Sequence, residues 1–164
     1  MTAQDLSSLL LRPGGKIGPS AMMRGGLFLI GFGTLLHAVQ LLNIPEGLIA
    51  LASIVGFGVI IPWVFLWTKR LRDGGLNPVL CLIPIMAFPI LALILIIIGI
   101  GDVFGEAMSA GMALQDDQVA MQAAMEEVIL ANERKVQIAS LIMPIFASLI
   151  ILFIGNALIK SKSV

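Results

Sequence analysis

Charged residues vanish from this chain over four long stretches, 25–45, 47–68, 74–101 and 136–159. A helix needs about 20 apolar residues to cross a hydrocarbon core of about 30 Å, so each stretch is long enough to cross once. The pattern predicts an all-α membrane protein with four transmembrane helices, at 25–45, 47–68, 78–101 and 136–159. Around them it leaves an N-terminal segment 1–24, a basic turn 69–77, a longer polar segment 102–135 and a short tail 160–164.

The segment 102–135 has its own periodicity. Phe104, Met108, Gly111, Leu114, Met121, Met125, Val128 and Ile129 recur at intervals of mostly three or four, the signature of an amphipathic helical segment between helices 3 and 4. Asp116 and Asp117 mark where it would divide into two pieces. One unbroken helix of this length would reach about 50 Å at 1.5 Å per residue, so it must project from the membrane or fold along it. Two readings follow. The segment is a cap over the bundle, or the stripe of Phe104, Met108, Leu114, Met121, Met125 and Val128 docks other membrane protein subunits through soft methionine contacts.

Charge then orients the threading. Ten basic and ten acidic residues cancel in sum but not in space. Alternate crossing puts Arg12, Lys16, Arg24, Lys69, Arg70, Arg72, Lys160 and Lys162 on one side and only Arg134 and Lys135 on the other. By the positive-inside rule the first side, with both termini, is cytoplasmic. The acids concentrate opposite, at Glu46, Asp102, Glu106, Asp116, Asp117, Glu126, Glu127 and Glu133, which makes 102–135 an acidic extracytoplasmic segment. No small-x-small cleavage pattern closes the first span, so it is expected to stay as an anchor.

Local signals punctuate the spans. Trp63 and Trp67 are placed at the headgroup level by the usual preference of indole rings. Helix 2 should end near Asp73, stopped by Gly74 and Gly75, with Asn77 capping a helix that starts at Pro78. Pro84 and Pro89 are the expected kinks. Small residues at Thr34 and Ala38, Ala52 and Gly56, and Ser148 and Gly155 would let backbones approach.

Candidate chemistry is sparse. With 59% hydrophobic and 12% charged residues in 164, there is no room for a separate catalytic domain. The single Cys81 has no partner for an intramolecular disulfide, and one histidine makes no metal-ligand cluster. No nucleophile with a histidine partner, carboxylate pair or phosphate loop suggests an enzyme, and nothing points to nucleic acid or a soluble substrate. His37 is the one residue inside a span with metal-binding chemistry, and an imidazole there could hold haem or chlorophyll, with Gly33 one turn earlier leaving room for a flat macrocycle. Lys69, Arg70, Arg72 and Asp73 form a charged knot at the membrane border, where Arg70 and Asp73, three apart, would pair on one helical face. That knot either serves topology and capping or, with Arg12 and Lys16, binds anionic lipid headgroups or a partner's acidic loop.

The stretch Trp67-Thr68-Lys69-Arg70-Leu71-Arg72-Asp73-Gly74-Gly75-Leu76-Asn77-Pro78 resembles the Arg-Arg-Leu-His-Asp-x-Gly-x-Ser-Gly-Trp signature of the bacterial inner-membrane family called domain of unknown function 805. Gly15-Lys16-Ile17-Gly18 followed by Arg24 is similar to that family's opening, so the resemblance covers most of 14–100. Arg72 stands where the family has histidine, Asn77-Pro78 replaces Ser-Gly-Trp, and the chain from 102 onward departs from the pattern. The resemblance implies a bacterial inner membrane and no particular activity. The expected function is a small non-catalytic structural or accessory subunit of a larger membrane complex, respiratory or photosynthetic for example. The alternatives are a pigment or haem carrier using His37 and a lipid-binding protein.

Overall fold

In a computed structural model, residues 3–40, 42, 45–114 and 117–161 are described. Asp116 and Lys162, both used in the charge count above, lie outside them. The described residues form helices and connections with no strand. Four helical spans are long and apolar enough to cross a membrane: Pro19–Val39, Gly47–Asp73, Pro78–Gly99 and Glu133–Leu158. Their outer surfaces carry large apolar side chains such as Ile54, Phe57 and Ile98, each at least 69% exposed, as expected of a chain whose solvent there is hydrocarbon.

The N-terminal segment 1–24 departs from the expected plain connector, because it already contains helix. Helix α1 (Ala3–Leu11) carries Leu6, Leu9 and Leu10 at helical spacing, and Leu9 and Leu10 are buried in the core at one end of the bundle. Helix α2 (Pro19–Gln40) begins six residues before the expected start at 25, since Gly18 accepts the first bond from Met22 N–H and Pro19 suits the first helical position. Span 2 is two helices, α3 (Glu46–Gly58) and α4 (Ile60–Asp73), parted at Val59. Pro62 explains the break: it has no N–H for the Gly58 carbonyl, and Gly56 and Gly58 weaken the turn before it. The kinks expected at Pro84 and Pro89 do not divide span 3. After a short 3₁₀ turn at Pro78–Cys81, helix α5 (Leu82–Gly99) runs unbroken, with Pro84 in its first turn and Pro89 inside it.

The turn between spans 2 and 3 follows the sequence signals. Gly75 takes φ +68°, Leu76 N–H reaches the Leu71 carbonyl at 2.9 Å, and Gly75 N–H reaches that of Arg72 at 3.1 Å. This paired closure satisfies carbonyls that a helix end leaves open. Asn77 Oδ1 then accepts from Val79 N–H at 3.0 Å.

Beyond span 3 the chain continues as helix α6 (Gly101–Met112), reverses, and returns as α7 (Gln118–Ala131) and α8 (Glu133–Leu158). The amphipathic segment is thus two antiparallel helices packed on each other, with Asp117 capping α7 through Val119 and Ala120 N–H. It is no lid over the bundle: α6 and α7 meet the spans chiefly at α5 and α8, the helices they extend. Gly111 lets them approach, since a Cβ there would stand 2.9 Å from Met125. At the junction with the spans, Lys135 forms an exposed ion pair with Asp102.

The other small residues divide into two uses. Gly26 abuts Leu152 and Gly155 abuts the Trp67 ring, each so closely that a Cβ would stand 2.5 Å away. Gly56, expected at such a contact, has open space instead. Gly155→Ala should therefore cost about 1–3 kcal/mol by overpacking a rigid ring. Gly105→Ala, in open space on α6, should stabilise by up to about 1 kcal/mol. Thermal melts in detergent compare the two.

The Lys135 hydrogen bond, followed by the Val103 backbone N–H, holds the Asp102 carboxyl below its usual range. Because the folded value is the lower one, the pair supports the junction above a carboxylate's ordinary pKa of about 3.9 and stops doing so as pH falls through the folded value. Amide protection around 102 and 135, measured relative to the intrinsic exchange rate at each pH, should fall on that acidification in the native chain. Lys135→Met should remove that pH dependence.

Candidate functional site

The four spans line a partly open cavity of about 520 Å³, bounded by Gly33, Thr34 and His37 from α2, by Gly56 and Trp63 from the broken second span, by prolines of α5 and by Pro144 and Ser148 of α8. Its origin is local. Pro84 in the first turn of α5, and Pro89 and Pro144 inside the continuous helices α5 and α8, face it, and the last two each leave the carbonyl four residues earlier without its helical N–H. Gly33 and Gly56 contribute no side chain where a Cβ would meet nothing within 4 Å, which leaves the space the sequence suggested beside His37.

The polar features of this cavity are few. Thr34 donates to the Ile30 carbonyl at 2.8 Å, leaving its oxygen able to accept. His37 Nε2 is buried and has no hydrogen-bond partner among the described residues. A buried polar atom in that state costs about 1–3 kcal/mol relative to a satisfied one. Among the described residues no lysine, arginine, aspartate or glutamate lines the cavity. That charge-free lining does not fit haem, whose two carboxylates would have no cation to meet.

Trp63 and Trp67 face the interior of the bundle. Trp63 borders the cavity, and Trp67, 3% exposed, is part of the core. They lie on the inward face of α4 because positions 63, 66, 67 and 70 form one stripe at helical spacing, a periodicity that outweighs the indole preference.

The charged knot is real and is mostly spent on structure. Arg70 is 1% exposed, and all five of its donors are used. Nε donates to Asn156 Oδ1 at 2.7 Å; one terminal nitrogen donates to Asp73 at 2.5 Å and to Ser161 Oγ at 2.9 Å. The other terminal nitrogen reaches the carbonyls of Asn156 and Ile159. Ser161 in turn donates to Asp73 at 2.6 Å, and Asn156 Nδ2 donates to the Pro19 carbonyl at 3.2 Å. Arg72 donates to the Pro13 carbonyl at 2.9 Å. Lys69 Nζ donates to the carbonyls of Ser8 and Leu9 at 2.8 and 2.6 Å, closing the last turn of α1. Of the residues assigned to lipid or partner binding, Arg70 and Asp73 are therefore committed to each other and to α8. The sequence reading missed Asn156 and Ser161. Asn156 had a visible signal, an amide alone in a long apolar run.

The docking stripe does not form one face. Met121 and Met125 turn inward against Gly111, and Val128 is half-buried, whereas Phe104, Met108 and Leu114 are exposed. Val103, Ala107 and Gly111 form the buried side of α6. Among the described residues no group of three or more potential ligands could hold a metal ion.

No family model, curated protein or solved structure matches this chain.

Arg70→Ala should lower stability by about 3–5 kcal/mol, since it strands Asp73, Asn156 and two helix-end carbonyls at once. Asp73→Asn should cost clearly less, because the Asp73 side chain is 18% exposed and the guanidinium keeps its other acceptors. Melting temperatures of the two variants in one detergent give the ranking.

Proposed function

We propose that this chain is a non-catalytic membrane protein that binds an uncharged lipophilic molecule inside its four-helix bundle, with one oxygen of that molecule hydrogen-bonded to His37. The buried Nε2, without a partner among the described residues, in a largely apolar cavity carries this reading. Pockets of this kind bind through apolar walls and orient the ligand through a few polar groups. Thr34, one turn before His37, supplies an acceptor if the ligand carries a hydroxyl. The absence of charge from the lining selects against anionic ligands, because an ionised group there would lose its hydration without compensation. A pigment of the chlorophyll type, being uncharged, remains within this class, with the imidazole as its metal ligand.

A second reading, a subunit of a larger membrane complex in a bacterial inner membrane, draws on the hairpin. Phe104, Met108 and Met112 make an exposed apolar row on α6, outside the four apolar spans. Both readings hold for one protein if the complex supplies or consumes the ligand.

Organic extraction of the protein purified from its native membrane in mild detergent, followed by mass spectrometry, should recover one neutral lipophile in near-stoichiometric amount. His37→Leu should retain the fold and lose roughly tenfold in affinity, the worth of one buried hydrogen bond. A visible absorption band that disappears with His37→Leu identifies a pigment. Equal recovery from both proteins of only bulk membrane lipid overturns the assignment.

A further inference from the structure

A second recess, of about 640 Å³, opens at the end of the bundle where α1, the loop to α2 and the last turns of α4 meet. Four cations line it, Arg12, Lys16, Arg24 and Lys69, and no acid among the described residues does. We infer that this recess is a phosphate-binding site, built for the phosphodiester of an anionic lipid.

The cations at this end fall into two groups. Arg70 and Arg72 are held by protein carbonyls, an amide, a hydroxyl and a carboxylate. The four around the recess meet no carboxylate among the described residues. Lys69, only 2% exposed, gives two of its three hydrogens to Ser8 and Leu9 carbonyls and is fixed in the wall. Arg12 lies near enough to repel it. Arg24 uses its Nε on the Ser20 carbonyl at 3.3 Å, which leaves its terminal nitrogens for a ligand. Arg12 and Lys16 have no hydrogen-bond or ion-pair partner among the described residues. Asp73, the acid of this end whose side chain is described, is held by Arg70 and Ser161.

Like charges gathered without a counter-charge repel one another, and an anion among them converts that repulsion into attraction. Guanidinium groups add paired donors that match phosphate oxygens. The setting favours a lipid over a free ion. Arg24 stands within the first membrane span, Leu9 and Ile17 give the recess apolar walls, and Leu27 and Phe28 expose an apolar surface next along α2. A headgroup phosphate in the recess would leave its acyl chains beside that surface. The site is separate from the His37 cavity, and neither reading depends on the other.

The test uses the full chain in neutral detergent and measures retention by native mass spectrometry of phosphatidylglycerol, phosphatidylcholine and glycerol 3-phosphate. The double variant Arg12→Gln with Lys16→Gln removes two exposed cations that hold nothing in the fold. Lys160→Gln removes one at the same end outside the recess. The native chain should retain phosphatidylglycerol over phosphatidylcholine, the double variant should bind it at least about tenfold more weakly, and Lys160→Gln should match the native chain. Failure of glycerol 3-phosphate to compete identifies a lipid site, and effective competition identifies a phosphate site that needs no acyl chain. Equal retention by the native chain and the double variant overturns the proposal. So does an equal loss in Lys160→Gln, which would reduce the effect to general charge, or a native chain that retains neither phosphate ligand.

Discussion

A guanidinium buried at the end of an apolar bundle is tolerable only when every donor is satisfied, and the arrangement of the spans follows from how Arg70 meets that demand. Its acceptors are the last carbonyls of α8, the amide of Asn156, the hydroxyl of Ser161 and the carboxylate one turn along its own helix. Helix ends leave such carbonyls open and carry partial negative charge, so a cation there answers two needs together. The contact sets span 2 against span 4. Through Asn156 and the Pro19 carbonyl it also fixes where span 1 enters. Lys69 does the same for α1 with a simpler group, a point charge closing two carbonyls.

That anchor positions the cavity. Trp67 and Trp63 precede Arg70 on the same face of α4, so fixing the arginine aims one ring into the Gly155 notch and sets the other as a wall of the space around His37. Further along, the second span breaks at Val59, and the prolines of α5 and α8 face the same volume. Close packing at the charged end and, in the middle, one broken span beside two proline-bearing helices therefore coexist in one bundle. The first gives rigidity. The second keeps room for a guest.

The same end of the molecule separates cations that build from cations that remain available. Arg70 and Arg72 are consumed by the fold, whereas Arg12, Lys16 and Arg24 line one recess with Lys69 and with no acid among the described residues. At the opposite end the hairpin α6–α7 prolongs α5 and α8, and its junction is marked by the Asp102–Lys135 pair and by the Asn132 side chain bonded back to the Val128 carbonyl at 3.0 Å.

Four spans, the Gly75 turn and the Arg70–Asp73 pair were legible in the sequence, because each depends on hydrophobic length, helical period or contacts within a few residues, whereas one helix or two over 102–135 stayed open. His37 stood out for the same reason, as a lone imidazole in an apolar run. What the chain order could not express was which faces meet. Arg70 finds Asn156 and Ser161 across more than 80 positions, Lys69 finds α1 across 60, and the two indoles turn inward because a packed face outweighs an interfacial preference. The docking stripe divided because two antiparallel helices bury one side of each, a choice made by Gly111 against Met121 and Met125. Local rules set the elements, whereas the pairing of distant polar groups in a low-dielectric interior decided the site.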